Sequence, residues 1–476
     1  MSDRGGAPVS YDVIVIGAGP AGENVAGRCA AGGLEVVIVE NELVGGECSF
    51  WACIPSKTLL RPGEALASAR RTPGVSAAIT GPIDTQAVIE RRNYMTNNWD
   101  DGSQKKWLDD SGIDLVRGVG RLTGERTVEV QLAEDGMAQL TARRAVVIAT
   151  GSKPFAPPVE GLSDIRTWDS RDVTSAKEVP RRLLVLGGGV VGVEMADAWR
   201  GLGAEEVTIL ERGEHLLSKE EPFAGVEVKA AFEARGIRVI TGASLARAER
   251  KGSDGPVVAQ LEDGSVIEAD EILVATGRHS RTEDLGLETV GLEPGKPVAV
   301  DGSLRATGID GGWLYAVGDA NGRALLTHMG KYQGRLAGDA ILGEEVEAWA
   351  DHHAITRVIF TDPQVAAVGL TEAQARDRGI NVRVVTRNVA DTAGASVYGE
   401  GISGTCCIIV DDDRSVIVGA TFVGPVAGEM LHSATIAVVG EVPLARLAHA
   451  VPSFPTMSEV WLVLLEAAAA ERGGVA

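Results

Sequence analysis

Short runs of apolar residues, each closed by glycines or a carboxylate, recur along this chain. Residues 11–16 (Tyr-Asp-Val-Ile-Val-Ile) predict a buried strand, since a brief apolar run ended by glycine suits a parallel sheet. Gly17, Gly19 and Gly22 follow, then a helical stretch to residue 31, then a second strand over 34–39 that closes at Glu40. Strand, glycine-rich turn, helix, strand and terminal acid make a βαβ dinucleotide fingerprint. Gly17 permits the tight turn, Gly19 lets a pyrophosphate approach the backbone, and Gly22 lets the helix pack on the strand. The helix N-terminus offers N–H groups and partial positive charge to phosphates, and Glu40 can accept from ribose hydroxyls.

The pattern repeats. Residues 182–186 predict a strand running into Gly187, Gly189 and Gly192, then a helix, then a strand over 206–210 that closes at Glu211. Two such units imply two nucleotide ligands. Two further strands, over 145–152 and 271–278, run into matching Ala-Thr-Gly turns at Thr150–Gly151 and Thr276–Gly277. A strand over 313–319 delivers Asp319 to a loop, residues 339–349 turn acidic and helical, and strands and helices without nucleotide motifs continue from 355. The expected fold class is α/β: two Rossmann-like nucleotide-binding domains and a C-terminal α+β domain.

The size of the chain, 476 residues with 45% apolar side chains, suits about three domains. Lys and Arg number 45 against 66 Asp and Glu, a formal charge of −21 that disfavours nucleic acid and anionic membranes as partners. The opening residues are polar, and no apolar run approaches the roughly 18 residues of a membrane span. A soluble cytoplasmic protein is expected. The five cysteines, Cys29, Cys48, Cys53, Cys406 and Cys407, are too few for a secreted disulfide framework. No metal-ligand spacing is evident. Cys406 and Cys407 sit in an apolar strand over 406–410, facing opposite sides, and are expected in the core.

Cys48 and Cys53 differ. They lie in Gly-Gly-Glu-Cys-Ser-Phe-Trp-Ala-Cys-Ile-Pro-Ser-Lys, residues 45–57, soon after the first fingerprint. In a regular helix their axial separation would be about 7.5 Å, beyond the ~7 Å between Cα atoms that a disulfide tolerates. A bridge therefore requires a distorted first turn, and strained, accessible bridges are more often redox-active than structural.

Taken together, these motifs resemble the pyridine nucleotide-disulfide oxidoreductases of the dihydrolipoyl dehydrogenase, glutathione reductase and mercuric reductase type, over residues 11–466. The resemblance implies an FAD-binding domain at 1–155, completed by 281–350, an inserted NAD(P)-binding domain at 156–280 and a dimerisation domain at 351–476. It implies FAD on Gly17, Gly19, Gly22 and Glu40, with Thr150, Gly151 and Gly277 beside the nucleotides and Asp319 on the ribityl chain. The helix opening at Thr327 and His328 would aim its positive end at the flavin. NAD(P)H would lie on Gly187, Gly189, Gly192 and Glu211. Glu211 favours NADH by repelling a 2′-phosphate, although Arg212 follows it. Cys53 would be the thiol nearer the flavin and Cys48 the one that attacks the substrate. Lys57 would lie near the reactive edge of the flavin, paired with Glu194. The implied protein is a homodimer acting on a small-molecule or disulfide acceptor.

Two features depart from the family pattern. Phe454, before Pro455 and Thr456, stands where the family has an acid–base histidine acting across the dimer, while Glu459 remains five residues on. Either His449 is repositioned to serve, or the enzyme works without that group; the second is the reading adopted. Phe50 and Trp51 stand between the cysteines, where small or polar residues are usual, as flavin packing or as an altered substrate mouth. Mercuric reductases also lack the histidine but carry a C-terminal cysteine pair, and no cysteine follows Cys407 here. The alternatives are a dihydrolipoyl dehydrogenase proper, a mercuric-reductase-like enzyme, or a non-enzymatic flavin-binding redox sensor.

Overall fold

The predicted apolar runs become the central strands of a computed structural model that describes residues 8–252 and 255–471. The chain divides into two bodies. The first comprises residues 1–55, 93–154 and 278–351; the second comprises 56–92, 155–277 and 352–476.

In the first body, Val9–Ile16 lies between Val36–Glu40 and Met137–Ile148, all parallel, with Val13 opposite both Val36 and Ala145. Ile113–Gly124 extends one side and Leu314–Ala316 the other. Val13, Ile14, Val15, Val37, Ile38, Val146 and Val147 are fully buried, the composition expected of a parallel sheet covered on both faces. Ile113–Gly124 and Met137–Ile148 are long strands, and each also pairs antiparallel with Thr127–Leu132. The helices Pro20–Ala31 and Thr327–Leu342 pack together closely enough that a Cβ on Gly334 would stand 2.6 Å from the Ala21 carbonyl.

In the second body, the parallel order is Glu271–Val274, Arg182–Leu186, Glu206–Glu211, Ile237–Thr241. A three-stranded antiparallel sheet, built from Leu245–Arg250, Val257–Leu261 and Val266–Ala269, accompanies it. A five-stranded antiparallel sheet runs Thr356–Ile359, Gln364–Gly369, Val416–Gly424, Thr405–Asp411, Val382–Asn388. One apolar cluster joins Leu59, Val185, Trp199, Phe232, Ile359 and Val423, so the nucleotide sheet and the C-terminal sheet share a core.

Some boundaries move. The strand expected over 34–39 runs Val36–Glu40, the one over 145–152 begins at Met137 and stops at Ile148, and the one over 271–278 stops at Val274. The helix expected over 339–349 is corrected. It ends at Leu342, where Gly343 adopts φ +105° and its N–H bonds Ala340 and Asp339 carbonyls, a left-handed C-terminal cap. Cys406 and Cys407 lie in Thr405–Asp411, both buried, and burial pushes each thiol up to about 12. Among the described residues no helix is long and apolar enough to cross a membrane.

Candidate active site

Both glycine turns have the same construction. A Cβ on Gly17 would lie 2.4 Å from the Ala149 carbonyl oxygen, and one on Gly187 would lie 2.5 Å from that of Ala275. Gly22 and Gly192 are closed in the same way, 2.1 and 2.0 Å from the carbonyls of Gly17 and Gly187. Gly19 and Gly189, by contrast, have no atom within 4 Å of that position. The first and third glycines are thus required by backbone packing, and the middle one opens onto space that a pyrophosphate can fill. Each helix begins at its middle glycine with no side-chain cap, leaving the first-turn N–H groups for a ligand.

The strand-end acids are both engaged. Glu40 accepts from the N–H of Ala18 and of Glu42, each at 2.7 Å, and is buried. Glu211 accepts from Gly188 at 2.6 Å and Gly213 at 2.5 Å, while Arg212 is exposed. The carboxylates are thereby aimed at the glycine turns, with further lone pairs for ribose hydroxyls.

The cysteine segment departs from a single helix. Cys48 lies in the short helix Gly46–Phe50, the chain breaks at Trp51 and Ala52, and Cys53 opens the helix Cys53–Arg71. This break brings together two thiols that a continuous helix would hold apart. Both are half-buried and unbridged here. The hydrogen bond between Cys48 and Cys53, with burial next, pushes the Cys48 thiol well above its ordinary range, while the Thr327 hydroxyl works in the opposite direction. Cys53 Sγ is 3.3 Å from Thr327 Oγ1, at the start of the helix Thr327–Leu342. His328 beside it is exposed. The short helix is held against the first glycine turn: Gly45 N–H donates to the Ala18 carbonyl at 2.8 Å, and a Cβ on Gly46 would touch Gly19 Cα. Phe50 is buried and its carbonyl accepts from Trp99 Nε1 at 3.1 Å; Trp51 is half-buried.

Asp319 accepts from the Ser152 hydroxyl at 2.5 Å, and burial pushes its carboxyl above the usual range. Ser152 in turn accepts from Arg278 Nε at 2.8 Å, and Arg281 reaches Glu47 at 3.4 Å. Strands Ser152–Pro154 and Arg278–Ser280 pair antiparallel, which sets these side chains together. Thr150 donates its hydroxyl to the Arg281 carbonyl at 2.7 Å, and Gly151 follows at φ +71°. Gly277 takes φ +145° in the second body, where Thr276 donates to the Phe155 carbonyl at 2.8 Å.

Lys57 Nζ donates to Glu194 Oε2 at 2.7 Å, and Glu194 Oε1 accepts from the Phe360 N–H at 3.0 Å. The carboxylate is nearly sealed from solvent, so leaving it uncompensated would cost about 3 kcal/mol or more. Near the C-terminus, Glu459 accepts from Gly394 N–H at 2.8 Å and Thr456 N–H at 3.0 Å, closing a turn. Phe454 is 77% exposed and His449 is exposed.

The profile of the pyridine nucleotide-disulphide oxidoreductases matches residues 11–334, and that of their dimerisation domain matches 355–464. The chain belongs to this family. It is a flavoprotein disulfide reductase-type enzyme, and FAD and NAD(P)H are its cofactors. The chain is similar to a mercuric reductase of Bacillus cereus, 30% identical over 96% of this chain and 71% of that protein. It is also similar to a dihydrolipoyl dehydrogenase of Thermus scotoductus, 33% identical over 97% of each. Among solved structures, the Cu(II) complex of the HOCl-induced flavoprotein disulfide reductase RclA from Escherichia coli superposes with a TM-score of 0.82 at 26% identity, over 96% of this chain and 99% of that one. LpdA from Mycobacterium tuberculosis gives 0.83 at 25%, with the same coverage. Three residues of this arrangement escaped sequence reasoning. Ser152 and Arg278 each directly follow an Ala-Thr-Gly turn, so the repeated turn was their signal. Phe360 carried no motif.

Proposed function

We propose that this oxidoreductase passes electrons from NADH, through FAD, to the Cys48–Cys53 pair and on to a small-molecule or disulfide acceptor, without a C-terminal acid–base histidine. The observation that carries this reading is the cluster of Cys48, Cys53 and Thr327, with the short Cys48 helix seated on the first glycine turn. FAD, when bound, supplies the two-electron relay between a hydride and a dithiol.

The chain's own groups divide the work. Gly17, Gly19, Gly22 and Glu40 hold the FAD nucleotide, Asp319 the ribityl chain, and Gly187, Gly189, Gly192 and Glu211 the nicotinamide nucleotide. Thr150, Gly151 and Gly277 shape the adjoining turns, and the opening of the helix at Thr327 and His328 supplies positive dipole. Lys57, fixed by Glu194, supplies a directed positive charge. With a disulfide acceptor, Cys48 attacks one acceptor sulfur and expels the other as a thiol. Cys53 then attacks Cys48, closing the Cys48–Cys53 bridge and releasing the second thiol; the two protons of the cysteines pass to the two product thiols. Glu459 serves here by closing the Gly394 and Thr456 turn rather than by orienting a histidine.

The domain division supporting this is FAD binding at 1–155 and 281–350, NAD(P) binding at 156–280, and dimerisation at 351–476. A homodimer is supported by the dimerisation match and by Ile436, Val439, Phe454 and Leu462, each about half-exposed or more on the C-terminal domain. Five cysteines in 476 residues, too few for a secreted disulfide framework, fit the reducing cytoplasm.

A dihydrolipoyl dehydrogenase is the second reading, favoured by relatives of that name, but the exposed Phe454 leaves no proton carrier at the family position. A thiophilic metal cation as acceptor is a third, favoured by relatives named mercuric reductase and by the Cu(II) complex of RclA. Steady-state NADH oxidation against lipoamide, other disulfides, quinones, Hg(II) and Cu(II) separates these. Turnover with lipoamide far above every other acceptor would replace the leading reading by the second.

A further inference from the structure

We infer that Phe360 is a positioning residue for Lys57, fixing the direction in which that ammonium group points. The inference rests on the proposed role of Lys57 in flavin reduction. Phe360 follows the strand Thr356–Ile359, and it meets the Lys57–Glu194 pair twice. Its N–H donates to Glu194 Oε1 at 3.0 Å, and its ring centroid lies 4.9 Å from Lys57 Nζ.

The ring is not there to fill the core. It is 38% exposed, whereas Ile359 before it is fully buried. Its place is set instead by the backbone. The Asp362 N–H donates to Asp197 Oδ2 at 2.9 Å, and Asp197 lies one turn beyond Glu194 on the helix Val190–Gly201. Arg235 holds the same segment from its other side, donating to Asp197 Oδ1 and to the Asp362 carbonyl, each at 2.7 Å. Residues 360–362 are thereby stapled to the helix that carries Glu194, and the phenyl face can meet the ammonium without packing of its own.

The consequence for Lys57 follows from its three donors. One is spent on Glu194. The ring occupies a second flank, where its quadrupole attracts the ammonium and its bulk excludes water. A flexible four-carbon side chain is left with one direction in which to donate to a ligand. An aliphatic side chain of similar bulk would exclude water but would not attract the cation.

Phe360→Leu and Phe360→Trp test this, with the FAD-loaded protein in both cases. The first readout is modification of Lys57 by an amine-acylating reagent, followed by peptide mass. Phe360→Leu is expected to raise the Lys57 rate about three- to tenfold, and Phe360→Trp to return it to the original value or below. The second readout is the rate of flavin reduction by NADH in a cycle with Lys57→Met. Phe360→Leu is expected to slow reduction by a similar factor when Lys57 is present and to have no effect when it is Met. Equal Lys57 modification in the parent and Phe360→Leu proteins, or additive effects in the cycle, overturns the inference. Unchanged flavin reduction in Lys57→Met alone instead overturns the role given to Lys57, while the modification rates still report on the contact.

Discussion

The sulfur of Cys53 lies 3.3 Å from the hydroxyl of Thr327, 274 positions further along the chain. That contact links the dithiol segment to the N-terminus of the helix Thr327–Leu342, and the same hydroxyl lowers the Cys48 thiol against the stronger upward pull of Cys53 and burial. A raised thiol is protonated at neutral pH and gains reactivity as pH rises. Alkylation of Cys48 in the reduced protein should therefore keep increasing beyond the ordinary thiol range, about pH 8.5. Thr327→Val should push Cys48 higher still and slow alkylation at a fixed pH about three- to tenfold. A plateau below pH 7, followed by mass-mapped iodoacetamide labelling, would contradict this.

The proposed preference for NADH rests on Glu211. Its carboxylate is fixed by Gly188 and Gly213 beside the second glycine turn, where a 2′-phosphate would meet like charge. Such repulsion at a partly solvated site amounts to about 1–2 kcal/mol, roughly tenfold in specificity. The ratio of kcat/KM for NADH over NADPH should exceed one, and Glu211→Ala should move it about tenfold towards NADPH. A parent ratio favouring NADPH refutes the assignment.

Much of this was legible beforehand, for stated physical reasons. Gly17, Gly19 and Gly22, and their repeats at 187, 189 and 192, advertise themselves because two of each three are forced by carbonyl contacts under 3 Å and the middle one by the need for open space. The pairing of Lys57 with Glu194 was expected from resemblance and is present at 2.7 Å. The break at Trp51 and Ala52 was only implied, because it answers to the geometry of two thiols rather than to local propensity. The end of the helix at Leu342 was missed because the acidic run after Gly343 has helix-forming composition, and a left-handed glycine outweighs it. Phe360 was invisible because its role depends on a backbone segment stapled to a helix more than 160 positions earlier.

Glu459 offers a sharper test of the missing histidine. Its carboxylate accepts two backbone N–H groups, so Glu459→Ala should cost about 1–2 kcal/mol of stability, seen as a lower Tm. The pH profile of kcat for the folded variant should match the parent. A lost ionisation in that profile would show that Glu459 supports an acid–base group after all.

The exposed C-terminal apolar residues predict a dimer. Sedimentation of the parent should give twice the chain mass, and Ile436→Asp combined with Val439→Asp should shift it towards monomer with a parallel loss of turnover. A parent monomer with full turnover would remove the interface from the account.

The central claim, that electrons reach Cys48 and Cys53 through the flavin, is tested most directly by anaerobic titration of the FAD-loaded protein with dithionite to two electrons. A long-wavelength charge-transfer absorbance of the Cys53 thiolate against oxidised FAD is expected at two electrons in the parent; it should be absent in Cys53→Ser, and in Cys48→Ser it should be present before any reductant is added and be lost as the flavin is reduced. Reduced spectra unchanged by either substitution would contradict it.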